Sequence, residues 1–498
     1  MELLTVAQMR QAEKQAYDNG LSYEQMMENA GKCATDWILS RSFGHHAVIL
    51  CGNGNNGGDG AVVAHRLCLA GYSVCVIWLQ GAPKTEAASR MANRLSDLSL
   101  FQVDYTLDSK AALSALEPCD FVVDALFGIG FHGQLPSAAI EVFSRCKERS
   151  LPVIALDIPS GVSADHGVVA TGTPLCQHTL SFHSYKYGQV QYPAAEYCGN
   201  TVVLDIGLPH QNEHQAFVID RDFVASLLIR PKGDTHKGTF GKASLLVGSL
   251  GMAGAATLAV QGCLRCGVGL CYPVVPQSIY PMVATAAPEA VYRLYEEGAS
   301  PAEILRQCDD GSALLAGCGL GDTPLTRDLV YELVNSFSGC LVLDADGINA
   351  LVSHIDEGKK RKAPWIITPH PGEMARLLHT DIATVQKSRV AVAADFAAEH
   401  GCVVVLKGAG TVIASPDGRV AINTTGNSGL SKGGSGDLLA GMITSLCAQG
   451  ISPFEAACVA VWLHGTAADM TAKELSCRSM LPTDLIGRLP RLFLQFEA

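Results

Sequence analysis

Short β-branched runs, each closed by turn residues and followed by a helical span, repeat along this chain and restrict what it can fold into. HAVILC, YSVCVIWL, DFVVDAL, LPVIALD and NTVVLDI form one series between His46 and Ile206. Alternation of strand and crossover helix builds a parallel sheet covered on both faces. Two helices precede the first strand, with Thr5/Gln8 and Ser22/Gln25 at capping-box spacing. A second series, KASLLVGS, GVGLCYPVV, SALLAGCG, GCLVLDADG, WIITPH and CVVVLKG, begins after residue 240. Between the two, LPHQNEHQAF is polar, holds Pro209 and lacks periodicity, which places a domain boundary between about residues 208 and 220. The expected domains are residues 1–215 and 220–498. They share no self-similarity and read as two different α/β units on one chain.

The totals exclude several function classes. A net charge of −12 leaves no basic surplus to neutralise phosphates, so neither nucleic acid nor an anionic membrane is expected as a partner. The first residues, MELLTVAQMRQAEKQ, are charged throughout, unlike a signal peptide. The longest uncharged run, Cys266 to Pro288, holds four prolines and two glycines and cannot be a spanning helix. The expectation is a soluble, cytoplasmic protein. Its 18 cysteines lack a secreted framework's spacing. Cys263 and Cys266 form one C-x-x-C without a second pair or a nearby histidine, which reads as packing and not as a metal site.

In the first unit, Gly52-Asn53-Gly54-Asn55-Asn56-Gly57 matches the dinucleotide fingerprint G-x-G-x-x-G and suggests a Rossmann-like sheet. A redox dinucleotide would need an acidic residue closing the second strand, where the chain has Gln80 and Gly81. Hydride transfer is therefore disfavoured. One Asn or Asp in such a loop usually just makes a turn. Asn55, Asn56 and Asp59 together, opposite Asp124 and Asp157 at two other strand ends, favour a binding role.

In the second unit, Gly433-Gly434-Ser435-Gly436-Asp437 precedes an amphipathic helix marked by Leu439, Ile443 and Leu446. A glycine-rich helix start offers free amides to a phosphoryl group, and an aspartate there can take a hydroxyl proton. Lys407-Gly408-Ala409-Gly410-Thr411 makes a tight turn suited to nucleotide phosphates, and Thr368-Pro369-His370-Pro371-Gly372-Glu373 a rigid polar one. There is no G-x-x-x-x-G-K-[ST], so this is not a P-loop enzyme.

GNGNNGGDG, DALFGIG and DIPSGVSADHG together resemble the epimerase domain of the NAD(P)H-hydrate repair enzymes. The resemblance implies interconversion of the C6 epimers of hydrated NADH and NADPH. It implies substrate contacts at Asn55, Asn56, Gly57, Gly58, Asp59, Gly128, Ile129, Gly130, Phe131, His132, Gly133, Gln134 and Asp157, and a potassium site at Asn56, Asp124 and Ser160. Asp157 is the expected proton carrier.

KGAGT, TPHPGE, LDADGINAL and GNSGLSKGGSGDLLAG are similar to the ribokinase-like ADP-dependent NAD(P)H-hydrate dehydratases. This implies Asp437 as catalytic base and Gly436 with Lys407, Gly408, Ala409, Gly410 and Thr411 as the nucleotide site. It also implies Ala255, Gly319, Gly321 and His370 as dinucleotide contacts, with Mg²⁺ accompanying ADP. The family is further taken to be homo-oligomeric, a tetramer. Lys232, His236 and Lys237 resemble a family segment, and surface solvation accounts for them equally well. Cys318 stands where the family usually has proline, and Leu430-Ser431 where Met-Ala is common. A small-molecule kinase remains a rival for the second unit, and a non-catalytic binding module for the first.

Overall fold

A computed structural model describes residues 1–98, 100–210, 215–228, 230, 233–308 and 311–497, which divide into two units, Met1–Phe217 and Val218–Ala498. Lys232 lies outside the described residues.

In the first unit, β1 (His46–Cys51), β2 (Ser73–Trp78), β3 (Phe101–Asp104), β4 (Phe121–Ala125), β5 (Val153–Leu156), β6 (His178–Phe182) and β7 (Asn200–Leu204) form one sheet. Their order is β3-β2-β1-β4-β5-β6-β7, with every pairing parallel. The side-chain period of two sends Ala47, Ile49 and Cys51 into a core with α2 (Tyr23–Leu39) and α3 (Asn55–Leu69). Val48 and Leu50 enter a second core on the opposite face, with Ala139 and Val142. The strand order reverses between β1 and β4, and the crevice at such a switch point is where doubly wound sheets bind ligands. α1 (Val6–Asp18) starts at a full Thr5/Gln8 capping box. At α2 only Ser22 caps, because the Gln25 amide turns to Asn29 instead. β3 and β6 were not among the expected strands. β3 is an edge with two exposed residues, and β6 hides its character behind buried Thr179 and Ser181, whose hydroxyls donate to the Cys198 and Ser184 carbonyls.

The second unit holds β8 (Lys242–Leu246), β9 (Leu270–Pro276), β10 (Arg293–Tyr295), β11 (Ala313–Ala316), β12 (Cys340–Leu343), β13 (Trp365–Ile367), β14 (Val403–Leu406), β15 (Thr411–Ala414) and β16 (Val420–Asn423). They run in the order β16-β15-β14-β13-β12-β11-β8-β9-β10. Pairing is parallel except at β14-β15-β16, where the chain doubles back. The Lys407–Gly410 turn is too short for a crossover helix, so β15 must be antiparallel. α4 (Ala253–Arg265), α5 (Pro371–Leu377) and α6 (Ser435–Ala448) carry the chemistry described below. α6 is not amphipathic as expected: Leu438 through Ala448 are all buried. α4 covers the face that would otherwise meet water, at a separation so small that a Cβ on Gly441 would lie 2.0 Å from the Ala259 carbonyl oxygen. Cys263 and Cys266 are buried free thiols, as their packing role requires. Among the described residues no helix is long and apolar enough to cross a membrane.

Candidate functional sites

The loop after β1 owes its glycines to close backbone approach. A Cβ on Gly52 would lie 2.0 Å from the Leu126 carbonyl oxygen, and one on Gly57 equally near that of Gly52. The chain is thereby pressed onto the end of β4, and Asn55, Asn56 and Gly57 become the first turn of α3, whose amides lack intrahelical acceptors. A cavity of about 410 Å³ opens there, walled by Asn55, Asn56, Asp59, Gly128, Ile129, Gly130, Phe131 and Asp157 among others. Gly57 and Gly58 lie buried beneath it, whereas His132, Gly133 and Gln134 are exposed and outside its wall.

Two strand-end carboxylates serve different tasks. Asp124 is fully buried; Ser160 donates to it through its hydroxyl (2.6 Å) and its amide (2.8 Å), and the Leu126 amide adds a third bond at 3.2 Å. Burial pushes the Asp124 carboxyl up to about 6, against the pull of those hydrogen bonds. Asn56 donates from Nδ2 to the Leu156 carbonyl at 3.4 Å, and its buried Oδ1 has no protein partner. Asp157 sits just past β5 with φ of +64°, a conformation costly for a non-glycine residue and common at functional sites. Its Oδ1 accepts from the fully buried Lys186 ammonium at 2.5 Å, and Gln189 donates to its backbone carbonyl at 2.6 Å. Gly128 lets the chain pass close to both groups: a Cβ there would be 3.4 Å from Asp157 Oδ2 and 3.5 Å from Asn56.

In the second unit, three neighbouring strands β12, β13 and β14 deliver Asp344, Thr368 and Lys407 to one point. Asp344 Oδ1 accepts from Lys407 Nζ (2.5 Å) and from the Thr368 hydroxyl (2.7 Å). Cys318 donates its thiol to Asp344 Oδ2 at 3.5 Å, and Asp437 completes the group, with one ligand atom each of Cys318, Asp344 and Asp437 within 4.8 Å of one another. Burial alone would raise the Asp344 carboxyl, but Lys407, Thr368 and Cys318 outweigh it and hold the carboxyl below its ordinary value. Lys407 moves up in return: burial opposes its charge, and Asp344 and Glu373 outweigh that. Burial and then the Asp344 charge raise Asp437, suiting it to accept a proton.

Asp437 lies on the first turn of α6, after Gly434 in a left-handed conformation, and a Cβ on Gly436 would approach Lys407 Nζ to 3.3 Å. His370 caps α5, its Nδ1 accepting from the Gly372 and Glu373 amides at 2.9 and 3.3 Å. That assigns the ring proton to Nε2, and burial and then Lys407 lower the ring's pKa. Gly319 is pressed onto Ala255, where a Cβ would meet the Ala255 methyl at 2.9 Å, and the Gly321 amide donates to Asp346 at 2.8 Å. Gly408, Ala409, Gly410 and Thr411 form the β14–β15 turn, closed by the Thr411 hydroxyl on the Gly408 carbonyl at 2.9 Å. His236 and Lys237 are exposed.

Residues 23–188 match the family model described as YjeF-related protein N-terminus, and residues 243–491 that of NAD(P)H-hydrate dehydratase. A bifunctional NAD(P)H-hydrate repair enzyme from Moorella thermoacetica is 36% identical over 524 residues, spanning 100% of this chain and 97% of its own. This chain belongs to the bifunctional NAD(P)H-hydrate repair enzymes. A ribokinase-like superfamily protein from Enterococcus faecalis covers 58% of this chain and 100% of its own at 24% identity and a TM-score of 0.51, which shows the fold of the second unit. An ADP/ATP-dependent NAD(P)H-hydrate dehydratase from Bacillus subtilis, co-crystallized with ATP/Mg²⁺, is 34% identical over 56% of this chain and 98% of its own, at a TM-score of 0.49.

Within this repair enzyme, several polar residues at the two sites escaped sequence reasoning. Lys186 stands in the short SYKYG stretch, and Arg10 and Glu13 look like ordinary exposed positions of α1. Asp344 lies within LDADGINAL, and its signal there is a carboxylate directly closing a parallel strand. Cys318, a departure from the family pattern, is the thiol between two carboxylates.

Proposed function

We propose that residues 1–215 interconvert the R and S epimers at C6 of hydrated NADH and NADPH, and that residues 220–498 return the S epimer to NAD(P)H at the expense of ADP, releasing AMP and phosphate. The observation that carries the reading is Asp437 on the first turn of α6, drawn against Asp344 beside Lys407. Asp437 takes the proton of the C6 hydroxyl as its oxygen attacks the terminal phosphoryl of ADP and AMP departs. The C6–O bond then breaks with its electron pair leaving on phosphate, and the departing phosphate takes the C5 proton, whose C–H pair becomes the C5–C6 double bond. Hydroxide is a poor leaving group, and the phosphoryl makes it a good one. Free amides of α6 and the Lys407 ammonium meet the charge that develops on the phosphoryl oxygens.

Gly436 and Lys407 to Thr411 hold the nucleotide, and Ala255, Gly319, Gly321 and His370 hold the hydrated dinucleotide. Mg²⁺ enters as the counter-ion of the nucleotide's phosphates. In the first unit, Asn55, Asn56 and Asp59 with Gly128 to Phe131 hold the substrate beside Asp157. Asn56, Asp124 and Ser160 would suit a potassium ion in their chemistry: Asn56 Oδ1 is a buried acceptor without a protein donor, and Asp124 and Ser160 add a buried carboxylate and hydroxyl bonded to each other. When bound, such an ion supplies a fixed positive charge beside the substrate. The family resemblance extends the proposal to a cytoplasmic tetramer, which sedimentation of the purified chain tests.

Mixed-epimer hydrated NADH supplied with ADP or ATP should give complete return of NADH absorbance. Recovery that stops at the S fraction refutes the epimerase half. No recovery with either nucleotide refutes the dehydratase half and favours a small-molecule kinase.

A further inference from the structure

Resting on the epimerase reading, we propose that Glu13 of α1 is a second catalytic residue of the first site, the acid that protonates the departing C6 hydroxyl while Asp157 serves as the base. Glu13 and Asp157 wall the same cavity, Glu13 from helix α1 and Asp157 from the end of β5. Epimerisation at C6 cannot proceed with a base alone. As the C6–O bond breaks, the oxygen must receive a proton or leave as hydroxide, while the ring nitrogen's lone pair forms the C6–N1 double bond. When water then attacks the other face of C6, that water must lose a proton. One group must start protonated and the other ionised.

The cavity gives its two carboxyl groups different partners. Lys186 binds Asp157 Oδ1 at 2.5 Å and is itself held by the Phe182 carbonyl (2.8 Å) and the Ser181 hydroxyl (3.1 Å), so its charge is fixed on Asp157. Glu13 faces Asp157 and Asp59, with Lys186 and Arg10 as the opposing cations. Burial, and then the Asp157 charge, raise the Glu13 carboxyl above its ordinary value, Lys186 and Arg10 only partly opposing them. A carboxyl held in a direct ion pair suits the base, and a buried carboxyl on the same cavity wall suits the acid. After one turnover Glu13 is ionised and Asp157 protonated, and solvent in the cavity returns the proton.

The test uses the full chain and pure R epimer, following conversion to S by chromatography across pH. Wild type should show a kcat with an alkaline limb, where Glu13 loses the proton it donates. Glu13→Gln should lower kcat by about 100-fold or more with little change in KM, and should abolish the alkaline limb. Glu13→Asp should restore part of the rate and bring the limb back. Dehydration of pure S epimer by the same variants should be unchanged, which reports an intact chain. Glu13→Gln within a few-fold of wild type, or a wild-type profile without an alkaline limb, overturns the assignment of Glu13. A wild type that does not epimerise at all overturns the reading beneath it.

Discussion

Replacing Lys407 by methionine should destabilise the second unit in a way that depends on pH. Lys407 is the ammonium on Asp344, whose side chain is only 2% exposed, while Lys407 itself is 20% exposed. Methionine keeps most of the volume and removes the charge, leaving a buried carboxylate with the Thr368 hydroxyl and the Cys318 thiol as its remaining donors. Breaking a buried pair from one side costs about 3–5 kcal/mol, and the partial exposure of Lys407 argues for about 3 kcal/mol. At roughly 2–4 °C per kcal/mol for large domains, the unit's melting temperature should fall by about 6–12 °C near neutral pH. The sign with pH follows from Asp344, whose carboxyl is held below its ordinary value of 3.8 in the folded wild type. The pair's contribution is therefore complete above that value and is lost only as pH falls through the lower folded one. In the variant, burial is no longer outweighed, so Asp344 takes up a proton at higher pH and escapes part of the cost. Calorimetry at about pH 8 and about pH 5 should show the gap between wild type and variant narrowing in acid. Adding Asp344→Asn to the variant should restore most of the loss. A gap below about 2 °C, or one that widens in acid, refutes the claim that Lys407 compensates a buried carboxylate.

Other expectations follow from single contacts. Asp437→Ala should reduce NADH return from the S epimer by at least about 100-fold while leaving epimerisation intact, read by absorbance and chromatography respectively. Asn56→Leu removes the buried acceptor without a protein donor, so epimerisation should lose its stimulation by potassium in a titration against sodium. Gly57→Ala would place a methyl carbon 2.0 Å from the Gly52 carbonyl oxygen, so a denaturant titration should show about 1–3 kcal/mol of lost stability.

The strand–helix alternation was legible because strands buried on both faces read as continuous apolar runs. β6 was not, since its buried hydroxyls satisfy themselves on nearby carbonyls and give it a polar look. The β14–β15 reversal was hidden for another reason: its glycine turn was read for phosphate binding and not for its length. At the candidate sites, residues that follow strands or open helices, such as Asn56, Asp157, His370 and Asp437, stand out from local pattern alone. Lys186 and Glu13 do not, because each acts across the sheet's end on a residue more than 25 positions away, and only the folded chain brings them together.

Both units set a lysine on a strand-end aspartate, yet the consequences for catalysis differ. In the first unit Lys186 grips Asp157, the proposed base, while burial and then the Asp157 charge raise the Glu13 carboxyl. In the second, Lys407 binds Asp344 and not Asp437. A direct bond from the ammonium to Asp437 would stabilise its carboxylate and weaken it as a base. With the ammonium bonded to Asp344, burial and then the Asp344 charge raise the Asp437 carboxyl, and Cys318 and Lys407 only partly oppose them. Asp344 thus works as a positioning residue: it fixes Lys407 where phosphoryl charge will develop and keeps Asp437 basic. Asp344→Asn should then lower the pH at which dehydration begins as well as its rate, a split that loss of packing alone would not produce.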